Sequence, residues 1–340
     1  VRLGKTHLDV SAVGFGGIPI QRLSETEAVR VIHRAIDLGV NFFDSAAGYG
    51  DSQEKIGAAI AERPGGREGL VLATKSPQTS KTGILKDIDR ARREMQVDSI
   101  DLFQLHNVSS REGMDAIGAP DGAVAGLLEA RENGHVRHIG LTSHSIDSAL
   151  ELMQNPVFET VQFPFNLVTR EPAEKLIPAA RAKGLGFIVM KPLCGGQYGN
   201  AAFAFKFLNA YSDLVPIPGI EREAEIEEIV DIVASGATLW GEEKVEAEEV
   251  AERLGKQFCR RCGYCMPCPN GVPVQGGMIF DSLAARLPDE RVAAGPAKKM
   301  AETIPNCTEC GECEQKCPYD LPIIETLKRT LKRARQYLRQ

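Results

Sequence analysis

Before Cys259 this chain has almost no cysteine: of its nine cysteines, only Cys194 lies outside the stretch from Cys259 to Cys317. That distribution leaves no disulfide framework for most of its 340 residues. With no signal peptide at its start, the chain is expected in a reducing cytoplasm. No uninterrupted apolar run approaches the roughly 18 residues of a membrane-crossing helix, so no membrane association is expected. Basic excess is also lacking. Forty Lys and Arg stand against 46 Asp and Glu, a net charge of -6, which offers nothing at whole-chain level to hold nucleic acid. A G-x-G-x-x-G turn is absent too, because GFGGIP near Gly14 is glycine-rich but wrongly spaced. What remains is ample for folding: 43% apolar residues can fill an ordinary core, and the length suits one large domain plus a small one.

The eight clustered cysteines form two runs, CRRCGYCMPCP with Cys259, Cys262, Cys265 and Cys268, and CTECGECEQKCP with Cys307, Cys310, Cys313 and Cys317. The second run has the spacing of bacterial ferredoxins, in which four thiolates hold an iron-sulfur cluster. Zinc competes for such residues, but its sites usually pair one Cys-x-x-Cys knuckle with a distant one. Three thiolates on one tight loop reach separate iron corners of a cubane, so 4Fe-4S clusters are the expected cofactor, one or two in number. In two-cluster ferredoxins the fourth cysteine of a run serves the other cluster. Crossed ligation is therefore expected, with Cys259, Cys262, Cys265 and Cys317 around one cluster and Cys307, Cys310, Cys313 and Cys268 around the other. The segment between the runs contains FDSLAARL and GPAKKMAE, which read as helical, and the module resembles the helical ferredoxin modules of respiratory enzymes.

From Ser11 to about Ala234 the chain repeats a short β-branched run, a loop and an amphipathic helix. Eight strands are predicted in AVGFGG, NFFDSA, LVLATKS, IDLFQLHN, VRHIGLTS, TVQFPFN, GFIVMKPL and DLVPIPG. Helices are predicted over 24–38, 52–63, 82–95, 121–133, 145–154, 172–183, 199–210 and 222–234. Ser24 and Glu27 form a capping box, and Gly39, Gly134 and Gly184 stand where helix-ending glycines belong. Eight such units predict an α/β fold, a (β/α)8 TIM barrel, with residues 1–12 as a β-hairpin plugging its N-terminal mouth. The expected organisation is a barrel over 1–234, an acidic helical linker over 235–256 and a small, mostly helical ferredoxin-like domain over 257–340.

In such a barrel, chemistry belongs at the C-terminal ends of the strands. Asp44 ends the second strand, Tyr49 follows it, Lys75 ends the third and His106 ends the fourth. Singly, each has a plain reading as a turn residue or solvated surface. Together they make a proton donor for carbonyl reduction. A phenol is a weak acid at neutral pH, and an ammonium beside it stabilises the anion it leaves. Asp44 would fix Lys75, Tyr49 would protonate the carbonyl oxygen, and His106 would orient the substrate or share the proton.

The N-terminal LGKT, FFDSAAGYG with Asp44 and Tyr49, ATKS with Lys75 and LFQLHN with His106 make residues 1–234 resemble the aldo-keto reductase family. The resemblance implies a barrel that binds NADPH or NADH across its C-terminal mouth and reduces aldehydes and ketones with Asp44, Tyr49, Lys75 and His106 as catalytic tetrad. By position, Thr142, Ser143 and Gln162 resemble the contacts of the nicotinamide carboxamide. Met190 stands where the family commonly has a stacking aromatic, and Lys191 beside it is placed to meet the pyrophosphate. Pro218, Gly219, Arg222 and Glu225 fall in the loop and helix that hold the adenosine end. The basic residues that usually clamp a 2′-phosphate are missing there except for Arg222, which keeps NADH open. The cysteine module takes the place of the long C-terminal substrate loop, as in the iron-sulfur subgroup of the family found in anaerobes and archaea.

The function implied is an NAD(P)H-dependent oxidoreductase of a small carbonyl or alcohol. The alternatives are an electron-transfer enzyme coupling the barrel to a ferredoxin-type carrier, or a non-catalytic redox or nicotinamide sensor. Coupling a two-electron hydride to one-electron clusters needs a splitting group such as flavin, for which no signature stands out. Cys194 reads as a small packed residue. The tail from Lys328 to Arg339 carries six Lys or Arg without an acid, a solvated helix face or a docking patch for an acidic electron carrier.

Overall fold

The computed structural model describes residues 1–339. Its eight strands are β1 (Phe15–Gly16), β2 (Phe42–Asp44), β3 (Val71–Ser76), β4 (Ile100–Leu105), β5 (Val136–Thr142), β6 (Thr160–Pro164), β7 (Gly186–Met190) and β8 (Leu214–Ile217). They lie in sequence order in one sheet, each parallel to the next. The Gly14 N–H donates to the Pro216 carbonyl at 2.9 Å and the Gly16 N–H to that of Pro218 at 2.8 Å, so β1 meets β8 and the sheet curls into a nearly closed barrel. That seam requires glycine, because a Cβ on Gly16 would lie 2.6 Å from the Pro218 oxygen.

Between and after the strands run α1 (Glu25–Asp37), α2 (Ser52–Glu62), α3 (Lys81–Glu94), α4 (Arg111–Gly118), α5 (Ala123–Glu132), α6 (Ile146–Leu152), α7 (Leu176–Ala182), α8 (Ala201–Leu208), α9 (Glu223–Ser235) and α10 (Glu242–Gly255). Both halves of the Ser24–Glu27 capping box form, and Gly39, Gly134 and Gly184 sit at positive φ of 85°, 73° and 64°. Two readings differ from expectation. Helix α4 was not anticipated, since Ile117 is its only buried residue and leaves little periodicity to read. The single helix expected over 172–183 is broken, as Pro172 starts a 3₁₀ turn, Glu171–Ala173, ahead of α7.

One apolar layer fills the space between strands and helices, built from residues such as Phe15, Ile32, Phe103, Leu127, Phe158 and Phe205. A second lies inside the barrel, where Phe42, Val71, Leu102, Ile188 and Val215 pack together. Leu3 and Val10 join that inner cluster, and Arg2 bridges Asp9 antiparallel.

Beyond α10 the chain is mostly helical: α11 (Val274–Met278), α12 (Phe280–Ala284), α13 (Asp289–Val292), α14 (Lys298–Thr303), α15 (Glu312–Gln315) and α16 (Ile323–Tyr337). A π-turn at Ala293–Ala297 carries Pro296 between α13 and α14, so GPAKKMAE is helical only in part as an α-helix. Val272, Phe280, Val292, Met300, Ile323 and Leu327 form this region's own core, with several cysteines packed at its edge. The apolar side of α16 faces that core, and three of its cations are paired, Lys328 with Glu309 and Arg329 and Arg333 with Asp281.

Candidate active site and cysteine module

Strand-end geometry brings the four polar residues together. The Lys75 Nζ, on β3, donates to the Asp44 carboxylate on β2 and to the Ser45 carbonyl at 2.7 Å. Both side chains are almost wholly buried. Gln104 on β4 donates to the other Asp44 oxygen at 3.2 Å and to Gln162 Oε1 at 3.0 Å. The Lys75 ammonium stands 4.9 Å from the Tyr49 ring centroid, and His106 meets that ring edge-on at 5.9 Å. Burial alone would lower the Lys75 pKa, but the Asp44 carboxylate and the Tyr49 oxygen outweigh it and hold the amine above its ordinary range. The site therefore keeps a charged lysine beside a phenol.

Burial, with Lys75 and Arg261 nearby, pushes His106 down to about 3. At neutral pH it is an imidazole, able to lend a hydrogen bond but no full charge. An unfolded histidine titrates near about 6.5, so between the two values the unfolded chain binds more protons than the folded one. The His106 contribution to stability is thus fully present above about pH 6.5 and falls as the pH drops toward about 3. The urea midpoint is expected to decline on acidification from about pH 6.5 to about pH 5, and to decline less steeply in His106→Leu.

A second polar chain lies beside this group. His144 Nδ1 donates to Asn107 Oδ1 at 2.8 Å, and its Nε2 accepts from Lys191 Nζ at 2.9 Å. Burial and neighbouring cations, Arg261 among them, push both His144 and Lys191 well below their ordinary values. Of the positions expected near a nicotinamide, Thr142 accepts the Asn107 N–H at 2.7 Å, and the Ser143 hydroxyl is committed to Ser145 and Ser109. Gln162 accepts from Gln104, while its own amide N–H₂ makes no bond among the described residues. Met190 ends β7, half-buried, without an aromatic beside it in the strand. The carbonyl of Pro218 and the backbone of Gly219 are taken up by the β1–β8 seam. Arg222 is held by Glu225 at 2.7 and 2.9 Å, and Glu225 also accepts the Glu221 and Arg222 N–H groups.

The cysteine module is pinned to this mouth. Arg260 donates to the Val168 carbonyl at 3.1 Å and stacks over Tyr319 at 3.7 Å. Tyr264 reaches Asp147 at 3.1 Å, Ser282 and Arg286 both donate to the Gly195 carbonyl, and Arg291 donates to Gln21 at 2.8 Å. Sequence reasoning missed Gln104, His144, Arg261 and Arg286. Gln104 and His144 carried a signal, as polar residues in or just after apolar strands. Nothing in CRRC or AARL separates Arg261 and Arg286 from surface cations.

All nine thiols are free, and the donor set suits iron-sulfur clusters. Cys265, Cys268, Cys307, Cys310 and Cys313 line one cavity. Cys317 is close enough to Cys262 and Cys265 to alter their ionisation, and Cys259 to alter that of Cys265. Burial, then the neighbouring thiols, pushes Cys265 up to about 12. Thiols crowded in this way need a cation among them to exist as thiolates, which iron would supply. Cys194 is fully buried, and burial pushes its thiol also up to about 12, as suits a packed residue.

Comparison with known proteins agrees with this division. Residues 12–202 match the model of the Aldo/keto reductase family, and residues 258–322 match a 4Fe-4S dicluster domain. The aldo-keto reductase YhdN of Bacillus subtilis is 26% identical over 211 residues, 57% of this chain and 62% of that protein. L-galactose dehydrogenase of Arabidopsis thaliana is 28% identical over 210 residues, 57% of this chain and 65% of its own. The chain thus spans less than two thirds of the length of these relatives. Among solved structures, the holo form of aldo-keto reductase AKR11C1 from Bacillus halodurans superposes with a TM-score of 0.63 at 22% identity, covering 74% of this chain and 95% of the other. An aldo-keto reductase from Klebsiella pneumoniae in complex with NADPH gives 0.60 at 19%, covering 74% and 94%. At these identities the structural likeness speaks for the fold alone.

Proposed function

The chain belongs to the aldo/keto reductase family and carries a 4Fe-4S binding domain, and from that premise we propose that it is an NAD(P)H-dependent reductase of an aldehyde or ketone. The observation that carries this reading is the buried Lys75 ammonium, held between the Asp44 carboxylate and the Tyr49 phenol with His106 edge-on to the ring. A bound nicotinamide supplies hydride to the carbonyl carbon. Tyr49 gives its proton to the carbonyl oxygen, and Lys75 meets the negative charge left on the phenol oxygen. Asp44 and the Ser45 carbonyl keep Lys75 in place, while neutral His106 lends a hydrogen bond to the reacting oxygen. Gln162 fits a carboxamide contact, having a free amide N–H₂; Thr142 and Ser143 shape the pocket wall through their internal bonds. Lys191 and Met190 are read as contacts of the cofactor's middle, Lys191 supplying a basic group for its pyrophosphate. Arg222 is already neutralised by Glu225, and α9 opens with Glu223 and Glu225, which disfavours a 2′-phosphate and favours NADH.

The barrel is assigned to residues 1–234, the linker to 235–256 and the cluster domain to 257–340. The domain holds two clusters by crossed ligation, Cys259, Cys262, Cys265 and Cys317 for the first and Cys307, Cys310, Cys313 and Cys268 for the second. The test is anaerobic purification with iron and sulfide analysis, followed by a carbonyl panel with NADH and with NADPH. Oxidation of either nicotinamide by one or more carbonyls is expected, with NADH preferred; none across the panel would sink the reading.

One observation favours a second reading, in which clusters and barrel exchange electrons. Cys259 stands close enough to Lys191 and Arg261 to interact electrostatically with both, at the barrel mouth. Hydride carries two electrons and a cluster one, so this reading needs flavin. Bound flavin in the anaerobically purified protein would support it, and cluster potentials indifferent to NADH in flavin-free protein would end it.

A further inference from the structure

Two guanidinium groups from the cluster domain stand at the barrel mouth, Arg286 on the Gly195 carbonyl, near enough to the Tyr49 phenol to act on it electrostatically and without an ion-pair partner among the described residues. The groups that act on Arg286 are Tyr49 and Arg261, and those that act on Arg261 are Cys259 and Tyr49. Neither arginine forms an ion pair among the described residues, although most arginines of the barrel do, such as Arg34 with Glu227 and Arg181 with Asp213. Both are half-buried. Among the described residues the Arg286 side chain bonds only through Nη2, to the Gly195 carbonyl, and no side-chain donor of Arg261 has a partner. Arg261 also takes a left-handed backbone, φ 63°, but Glu309 does the same at the matching place in the second cysteine run, φ 57°. The turn therefore follows from the Cys-x-x-Cys loop, whereas the arginine placed on it is peculiar to the loop that faces the barrel.

No nitrogen of Arg261 or Arg286 is among the polar atoms buried without a partner, so the unbonded N–H groups of both stay open at the mouth, where an incoming anion can take them. The Asp44 carboxylate is already engaged by Lys75, and Lys191 adds a further basic group at the same mouth. Part of the Arg261 charge answers the thiolates of its own loop. Arg286 has no cysteine among the groups acting on it, and its free donors point to an anion lying beside Tyr49. A carbonyl held at the Tyr49 oxygen has its substituents within a few bond lengths, so the anion belongs to the substrate itself.

We propose that Arg286, assisted by Arg261, selects carbonyl substrates that carry a carboxylate next to the carbonyl carbon, so that the enzyme is a reductase of short oxo acids. This rests on the reductase reading above. A guanidinium binds a carboxylate through two parallel N–H bonds, which fixes the carbonyl toward Tyr49 as well as neutralising the substrate. The iron-sulfur domain then supplies the specificity element of the barrel, in the place where its cysteines are also held.

The test compares glyoxylate with propanal in the anaerobically prepared holoenzyme, and measures binding of oxamate, an unreactive oxo-acid mimic, by calorimetry. Glyoxylate is expected to be the better substrate. In Arg286→Gln the ratio of kcat/KM for glyoxylate to that for propanal should fall about 10- to 100-fold, the effect of losing a charged hydrogen-bond pair, with oxamate affinity falling in parallel. Arg286→Lys, which keeps the charge but not the fork, should fall between. Iron content confirms that each variant is assembled. Equal use of the two aldehydes with unchanged oxamate binding in Arg286→Gln would overturn the proposal, as would weakened NADH binding with oxamate unaffected, which assigns Arg286 to the cofactor. If neither aldehyde is reduced, the reductase reading fails on its own, and the oxamate measurement still decides the role of Arg286.

Discussion

Tyr49→Phe is expected to lower kcat for carbonyl reduction by about 10²- to 10⁴-fold, the range lost when a positioned proton donor is removed. The substitution is narrow. The phenyl ring keeps its edge-on contact with His106 and its place beside the Lys75 ammonium, so the packing of the mouth survives. What disappears is the oxygen, and with it the proton that must reach the carbonyl as hydride arrives at carbon. Lys75 stays charged, because Asp44 remains beside it. Nicotinamide affinity should therefore change little while kcat collapses, the pattern of an interaction made in the transition state rather than in the ground state. His106 offers no easy substitute, since it is held as neutral imidazole down to about 3. Single-turnover reduction followed at 340 nm by rapid mixing, alongside iron analysis, checks the outcome; near-native turnover in Tyr49→Phe would place the donor elsewhere and dismantle the mechanism.

The barrel and this group were legible in the sequence for one shared reason. Eight strands alternate with amphipathic helices, so each strand end is marked by the polar residue that interrupts its apolar run: Asp44, Lys75 and His106 are such interruptions. Tyr49 sits in a glycine-flanked loop and takes its meaning only from the other three. Register was harder to read. β1 has two residues in the ladder against the six of AVGFGG, because its place is fixed by the glycine seam to β8 rather than by a long ladder of its own. Helix α4 escaped notice because its apolar face is short, little more than Met114 and Ile117. The arginines of the module escaped because a cation at the sequence level looks the same whether it faces water or Tyr49. The cysteine runs announced a cofactor, but only three-dimensional proximity puts Arg261, between Cys259 and Cys262, within reach of Tyr49.

The other large effect concerns which cysteines share a cluster. Cys317 stands by Cys262 and Cys265, while Cys268 lines a cavity with Cys307, Cys310 and Cys313, into which Cys265 also reaches. Under crossed ligation, Cys259→Ala combined with Cys317→Ala strikes one cluster, and about half of the iron should remain. Cys259→Ala combined with Cys268→Ala strikes both clusters and should leave almost none. Ligation confined within each run reverses the two results, so iron and sulfide content with EPR of the reduced protein distinguishes the schemes. The consequence for the barrel also divides. Under that scheme the first cluster would be held on the loop that carries Arg261, with Cys259 close to Lys191, and the second would lie toward α16, with Ile324 and Leu327 on the cavity wall. Cys317→Ala is therefore expected to impair carbonyl reduction along with the first cluster, and Cys310→Ala to spare much more of it while removing the second. Equal loss of turnover in both would mean that the two clusters act on the barrel only through the fold of the domain as a whole.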